Sequence, residues 1–383
     1  MLSTIVQEPN DEATLTFALN SPNLPSLLFL NQHLNTLWVL FDRTQNKVED
    51  DKTVISQISC GPTDTAVVLS DGRCFVSGAN KSGQLGLGHK RPVEEPTLLE
   101  GFSVSSFSMG QTSSAFIDQN GEMYSFGFGG SAMTGIGQLG HGDGEETLSP
   151  KLVVSIVEDN CHVKQVEVGE SHMSVLTTEG EILATGAGSY GRLGNFETTD
   201  QLYLEPVELL TKGVDMIAGG KSFCLGLRDG IVYGWGRNHK GQLGLGYGLS
   251  VDMYSMEAVP TPLEGDELLG RRIVFIAAGH SHAACVSEKG ELFFWGSAHH
   301  LEPERVVALG HTKVVDVVCG QDFTIARGED GKLYSFGSGK AGTLGNAGSR
   351  VAPEATLIEA LADQGAEQIS AGWKHVGCLV DEA

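Results

Sequence analysis

Six times along the chain a glycine is followed by a second glycine 11 residues later and a third 6 residues after that. The first members are Gly61, Gly110, Gly169, Gly219, Gly279 and Gly320. The second are Gly72, Gly121, Gly180, Gly230, Gly290 and Gly331, and the third are Gly78, Gly127, Gly186, Gly236, Gly296 and Gly337. A seventh first member stands at Gly372. So strict a period means one supersecondary unit used again and again. A unit of this size cannot bury both of its faces alone, so the copies must cover one another.

The unit reads as a β-hairpin. Asp71-Gly72, Asn120-Gly121, Asp229-Gly230 and Asp330-Gly331 are dipeptides that enter the left-handed region at low cost, as a tight two-residue hairpin turn requires. Glu179-Gly180 and Lys289-Gly290 are weaker versions of the same turn. The flanking segments Glu122-Met123-Tyr124-Ser125-Phe126 and Lys332-Leu333-Tyr334-Ser335-Phe336 send alternate side chains to opposite faces, the two-residue period of a strand. Glycine-rich turns follow: SGQLG at 82–86, IGQLG at 136–140, YGRLG at 190–194, KGQLG at 240–244 and AGTLG at 341–345. A helical reading fails, because glycine is far too frequent and no long 3.6-residue pattern appears.

Sheets of this kind closed around an axis leave few exposed edges. The expected fold is therefore all-β, a seven-bladed β-propeller forming a single domain over residues 1–383. The seventh repeat ends after its hairpin's first strand, Val376-Gly377-Cys378-Leu379-Val380, and needs a partner from elsewhere. Thr14-Leu15-Thr16-Phe17-Ala18-Leu19 aligns with Val232-Tyr233-Gly234-Trp235-Gly236 and is the expected closing strand. Leu27 to Phe41 is expected to form an additional hairpin.

Charge and cysteine usage narrow the function classes. The chain has 25 Lys plus Arg against 48 Asp plus Glu, a formal charge of −23, with no run of basic residues. Affinity for nucleic acid comes from releasing phosphate counterions with Lys and Arg, so direct nucleic-acid binding is not expected. The acidic field favours a basic protein as partner. The seven cysteines form no C-x-x-C pair and no Cys/His spacing suited to zinc. Small buried thiols fit a reducing compartment, cytoplasm or nucleus. The opening segment MLSTIVQEPNDEATLTF carries no basic stretch followed by an apolar core, and no apolar run reaches spanning length, so neither a leader nor membrane insertion is expected.

No catalytic, cofactor or metal site emerges. The G-x-G-x-x-G runs at Gly186/Gly188/Gly191 and Gly337/Gly339/Gly342 recur at one repeat phase without a following helix, so they are punctuation. Gly219-Gly220-Lys221-Ser222 lacks the first glycine of a phosphate loop, and Asp143-Gly144-Glu145-Glu146 lacks the alternating ligands of a calcium loop.

Anchor glycine, Asp-Gly turn, aromatic-Gly and Gly-Gln-Leu-Gly together resemble the repeat of the regulator of chromosome condensation family, from about residue 13 to residue 380. The resemblance implies a seven-bladed propeller and three activities: guanine-nucleotide exchange on a small GTPase, adaptor work, or ultraviolet sensing through repeated Gly-Trp-Arg-His-Thr segments. Only Gly372-Trp373-Lys374-His375 is similar to the last, and the chain has 4 Trp, so light sensing is set aside. A non-enzymatic interaction propeller binding a protein partner through loops on one face is the first expectation. An exchange factor for a Ran-like or related small GTPase is the alternative.

In the exchange members, acidic and histidine side chains after the anchor glycines lie on the GTPase-binding face, and a wedge inserted in the second full repeat helps displace the nucleotide. Here His172, His282 and His375 stand three residues after their anchors. Gln111 and Ser171 occupy the acidic positions, with Glu170 adjacent. The second repeat takes 10 residues from Gly127 to Gly137 where repeats one, three, four and six take 5. Its inserted run holds Phe128, Ser131, Met133 and Thr134. Tyr247, Met253 and Tyr254 lie in a second long segment, Leu245 to Leu269. These twelve residues, Ser171 excepted, form the candidate partner site. Each has a plain structural alternative: the histidines can hold turns, and the long loops can be tolerated insertions.

Overall fold

The computed structural model describes residues 26–30, 53–159, 161–248, 255–340, 342–346 and 350–380, with side chains from residue 53 onward. Six four-stranded antiparallel sheets follow one another along the chain, and a three-stranded sheet completes a ring of seven blades. Blade 1 consists of Ile55–Cys60, Asp64–Leu69, Cys74–Gly78 and Val93–Leu98. Blade 2 repeats the order with Val104–Met109, Ser113–Asp118, Met123–Gly127 and Thr147–Leu152. Blades 3 to 6 occupy residues 163–206, 214–262, 273–305 and 314–357 in the same way. Each blade's first strand lines the central axis.

The three glycine positions have separate physical jobs. The second sits in the hairpin turn with positive φ, as Gly72 does at 88° and Gly230 at 81°. The third pairs directly with the first residue of the blade's second strand, for example Gly127 with Ser113 and Gly186 with His172. A β-carbon at Gly127 would fall 2.5 Å from the Thr112 carbonyl oxygen, so backbone occupies the place a side chain needs.

Three anchor glycines lie against the anchor turn of the next blade. A β-carbon at Gly110 would fall 2.5 Å from the Gly169 carbonyl oxygen, and one at Gly279 the same distance from that of Gly320. At the seam between blades 7 and 1, Gly372 would meet the Gly61 carbonyl at 2.0 Å. Amides cross these turns as well, from Lys221 to the Gly279 carbonyl at 3.2 Å and from His280 to that of Gly320 at 3.1 Å.

Innermost strands present bare edges, which are costly unless paired. Side-chain amides from neighbouring blades satisfy them. Gln57 accepts from the Phe107 amide at 2.7 Å and donates to its carbonyl, and Gln165 treats Ile217 alike. Gln368 accepts from the Ile58 amide at 2.9 Å and so carries this pattern across the seam. Seven separate hydrophobic clusters fill the seven blade interfaces. The cluster between blades 7 and 1 joins Leu379 to Ile58, Val67 and Phe75.

The seventh blade is closed by an N-terminal strand, as its unfinished repeat requires. That strand is Ser26–Leu30, antiparallel to Val376–Val380 with Leu28 opposite Cys378. It occupies the place expected for residues 14–19, which lie outside the described residues. Of the segment Leu27 to Phe41, expected as an additional hairpin, residues 27–30 lie in this strand and the remainder lies outside the described residues. Strand pairing rewards a run of unbroken β-formers, and Leu27-Leu28-Phe29-Leu30 offers one without the glycine turn that marks every other blade. The Leu245 to Leu269 segment likewise contains an outer strand, Met256–Pro262.

Six of the seven cysteines are buried and all seven are free. Burial pushes the thiols of Cys60 and Cys319 up to about 12, which leaves them unreactive. No helix among the described residues is long and apolar enough to cross a membrane.

Because the anchor turns touch backbone to backbone, Gly372→Ala is expected to destabilise the fold by about 1–3 kcal/mol. Gly365→Ala, where a β-carbon meets nothing within 4 Å, should change stability by less than about 0.5 kcal/mol. Chemical denaturation of the two variants side by side measures the difference.

Candidate functional site

The three repeat histidines are turned inward. His172, His282 and His375 are all buried, at 2 %, 1 % and 7 % exposure. His172 and His282 open the second strand of their blades, His375 immediately precedes that of blade 7, and each reaches the second strand of the next blade. His172 Nε2 lies 3.1 Å from Cys224 Sγ, His282 Nε2 3.1 Å from Thr324 Oγ1, and His375 Nε2 3.1 Å from Thr65 Oγ1. Burial pushes His282 and His375 down to about 4. Burial, reinforced by the charge of Arg192, pushes His172 down to about 3. Direct contact with a partner, expected from their place in the repeat, is corrected: these rings are neutral ties between blades.

The insertion of blade 2 is a built element. Gly130–Ser131 pairs with Gly135–Ile136 in a short antiparallel hairpin, and Gly130 and Gly135 take φ of 121° and 88°. Asp200 of blade 3 clamps it, one carboxylate oxygen accepting from the Ile136 amide at 3.0 Å and the other from Gly188 at 3.0 Å. Ser131 Oγ and Thr134 Oγ1 are 2.9 Å apart across the tip. Between them Met133 stands 96 % exposed.

Beside the hairpin opens a groove of about 650 Å³ on the face of the anchor turns. Gln111, Phe128, Met133, Thr134 and Glu170 line it, so five of the residues singled out from sequence come together in one place. Ser131 belongs to the hairpin rim. Tyr247 is elsewhere, its hydroxyl donating to Glu257, and Met253 and Tyr254 lie outside the described residues. On the groove's far wall, Met256 comes from the long Leu245 to Leu269 segment, whereas Ser189, Tyr190, Arg192 and Thr198 were not legible as a site. The one signal was YGRLG, in which arginine stands where three other repeats place glutamine.

That substitution changes the local chemistry. In blades 1 and 4 the glutamine closes its own turn, Gln84 Oε1 accepting from the Ser82 amide at 2.7 Å and Gln242 Oε1 from Lys240 at 2.8 Å. Arg192 instead donates Nε to the Ser189 carbonyl at 2.8 Å and extends its guanidinium toward the groove at 5 % residue exposure. Burial lowers its pKa, while the charge of Glu170 raises it. Glu170 is itself paired with Lys221 at 3.1 Å. The Tyr190 ring receives two cations, with Arg237 at 4.4 Å and Arg192 at 5.6 Å from its centroid. Tyr190 holds φ at 64°, a left-handed conformation that costs a non-glycine residue about 1–3 kcal/mol.

At the axis, Lys221 lies 5.7 Å over the Trp373 ring, and His280 packs edge-on against it at 5.3 Å. The channel below is a cavity of about 320 Å³, into which burial pushes the Glu167 carboxyl up to about 7. No group of three His, Cys, Asp or Glu placed to hold a metal occurs among the described residues.

The family model for the regulator of chromosome condensation repeat matches residues 71–117, 120–176, 229–286 and 330–379, more than half the chain. The chain belongs to that family. A second model of the repeat matches residues 314–343. Among curated proteins it is similar to the ultraviolet-B receptor UVR8 of Arabidopsis thaliana, at 35 % identity over 260 residues, 64 % of this chain and 57 % of that protein. It is also similar to the human E3 ubiquitin-protein ligase HERC2, at 27 % identity over 341 residues, 83 % of this chain and 7 % of the ligase. The secretion-regulating guanine nucleotide exchange factor of Bos taurus is 29 % identical over 304 residues, 74 % of this chain and 63 % of the factor. The chain thus spans little more than half of the receptor and a small part of the ligase. Prp20p of Saccharomyces cerevisiae has the same fold, with a TM-score of 0.79 at 19 % identity over 95 % of this chain and 93 % of that one. Human WBSCR16 follows at 0.71 and 21 % identity, over 86 % and 87 %.

The buried histidines set an acid response. Their folded pKa values lie below the ordinary 6.5. Their contribution is therefore complete above about pH 6.5 and is lost as pH falls toward 4, where the unfolded chain takes up protons that the folded chain refuses. Between pH 7 and 4.5 the wild-type melting temperature should fall more steeply than that of a triple His172→Gln, His282→Gln, His375→Gln variant, followed by differential scanning fluorimetry.

Proposed function

We propose that this propeller is a non-enzymatic interaction module, which binds a protein partner on the anchor-turn face through the groove between the blade 2 hairpin and blade 3. The observation that carries the reading is the hairpin itself. A loop that was merely tolerated has no need of a two-oxygen carboxylate clamp, yet Asp200 holds this one so that Met133 projects into solvent at the groove's rim. Exposed methionine next to Phe128 and Met256 is adaptable apolar contact material, and Gln111 and Thr112 add polar groups beside it. Such a module acts by affinity alone and needs no reacting group.

A second reading draws on the same hairpin. An exchange factor must bind a nucleotide-free GTPase better than the loaded form, and a rigid protruding hairpin is a means of doing so. The relative from Bos taurus is named for such activity, and work on Prp20p concerns its binding to Gsp1p and histones. For this chain the affinity reading is preferred, because Gln111 and Ser171 replace the acidic side chains that the exchange members present. Ultraviolet sensing has less support: Trp235 and Trp295 are buried singly in blade interfaces, and Trp373 packs with His280 and Lys221.

The test is a variant in which residues 131–134 are replaced by a two-glycine turn. Crosslinking mass spectrometry in lysate should show partner crosslinks to the anchor-turn face that vanish in the variant. Unchanged crosslinks would remove the groove from the reading. Release of a fluorescent guanine nucleotide from purified small GTPases, accelerated by wild type and not by the variant, would instead establish exchange.

Asp200→Ala is expected to loosen the hairpin without unfolding the propeller. Hydrogen exchange at the Ile136 and Gly188 amides should speed up by about tenfold or more, for loss of roughly 1.5 kcal/mol of charge-assisted hydrogen bonding. Strand amides of blades 4 to 6 should be unaffected.

A further inference from the structure

One wall of the groove holds a buried cation that makes no direct ion pair among the described residues. Arg192 is 95 % withdrawn from solvent. Its Nε donates to the Ser189 carbonyl, and among the described residues it forms no ion pair. The nearest carboxylate lining the groove, Glu170, is engaged by Lys221. A second guanidinium, Arg237, shares the Tyr190 ring, and its Nε is buried without a hydrogen-bond partner. A buried, unpaired charge is costly, and three sibling repeats avoid it by using glutamine at this position. Where a protein keeps such a group at the wall of an open groove, the missing counter-charge is to be sought in what the groove binds.

We propose that Arg192 is the receptor for a carboxylate side chain of the partner, an aspartate or glutamate flanked by apolar residues in an extended peptide segment. This rests on the groove being the partner site. The planar fork of the guanidinium suits a carboxylate taken with two parallel hydrogen bonds. Phe128, Met133 and Met256 supply apolar walls for its neighbours. A dianionic phosphate fits less well, because Glu170 lines the same groove and the chain carries a net charge of −23. The same overall charge makes the site selective: it opposes polyacidic chains at long range and leaves a single carboxylate to be recognised at contact.

Arg192→Gln restores the residue that blades 1, 2 and 4 carry, so the variant is expected to fold, and its melting temperature checks this. The probe is a library of immobilised nonapeptides with aspartate or glutamate at the centre and an apolar residue on each side. Replica libraries carry asparagine or glutamine, or phosphoserine, at the centre. Wild type is expected to select acidic peptides over their amide replicas by at least tenfold in affinity, and Arg192→Gln to lose that preference. The 131–134 hairpin variant should weaken acidic and amide peptides together. If Arg192→Gln binds the selected acidic peptides as wild type does while the hairpin variant does not, the carboxylate assignment falls and the groove stands. Peptides bound equally by all three proteins, or no selection at all, overturn both. Stronger selection of the phosphoserine replicas overturns the assignment to a carboxylate.

Discussion

Around the axis, three of the anchor turns lie backbone against backbone with the next. The Gly61, Gly169 and Gly320 carbonyls occupy the space where β-carbons of Gly372, Gly110 and Gly279 would be. This contact fixes how close neighbouring blades approach, and that distance fixes the rest. It brings Gln57, Gln165 and Gln368 within reach of the adjacent inner strands, and it aligns the histidines with the hydroxyl or thiol of the following blade. Because the ring is closed, error at one seam is shared by all seven interfaces. Repetition therefore constrains this fold more tightly than it does an open solenoid, in which a local distortion propagates outward and is released at the ends.

The functional face is built on that ring. Anchor turns converge at one end of the axis, and the loops that follow each third glycine surround them. Where every blade obeys the repeat, the loops satisfy themselves and present little for a partner. Blade 2 departs through its hairpin and blade 3 through Arg192, and the two departures lie on opposite walls of one groove. Asp200 couples them physically, since it holds the hairpin while belonging to the chain segment just beyond Arg192. Membership of the family establishes the propeller, while the activities of its members differ. What distinguishes this chain must be sought in such departures.

Much of the candidate site was within reach of sequence reasoning because an insertion is visible as a change of spacing. Phe128, Met133 and Thr134 are found by counting residues between glycines, and Gln111 and Glu170 by their offset from an anchor. The histidines misled for an instructive reason. Their offset is regular, but a regular offset is equally what an interface tie needs, and sequence gives no direction to a ring. Arg192 was passed over because YGRLG reads as a conservative variant of a turn. Only burial shows that a neutral, self-satisfying side chain has been replaced by a charged one that cannot satisfy itself.

Glycine spacing by itself determined the hairpins, their turns, the number of blades and the need for a strand from outside the seventh repeat. These follow from local backbone geometry, and local geometry is written in adjacent residues. Which segment supplies that strand was decided by the tertiary structure, in favour of Ser26–Leu30. The closing strand makes its bonds to residues some 350 positions away, so no spacing within the N-terminal segment records its register. The groove has the same character. Its walls come from blades 2, 3 and 4, and the closeness of Met133 to Arg192 is a property of how rigid blades meet, for which no local pattern exists.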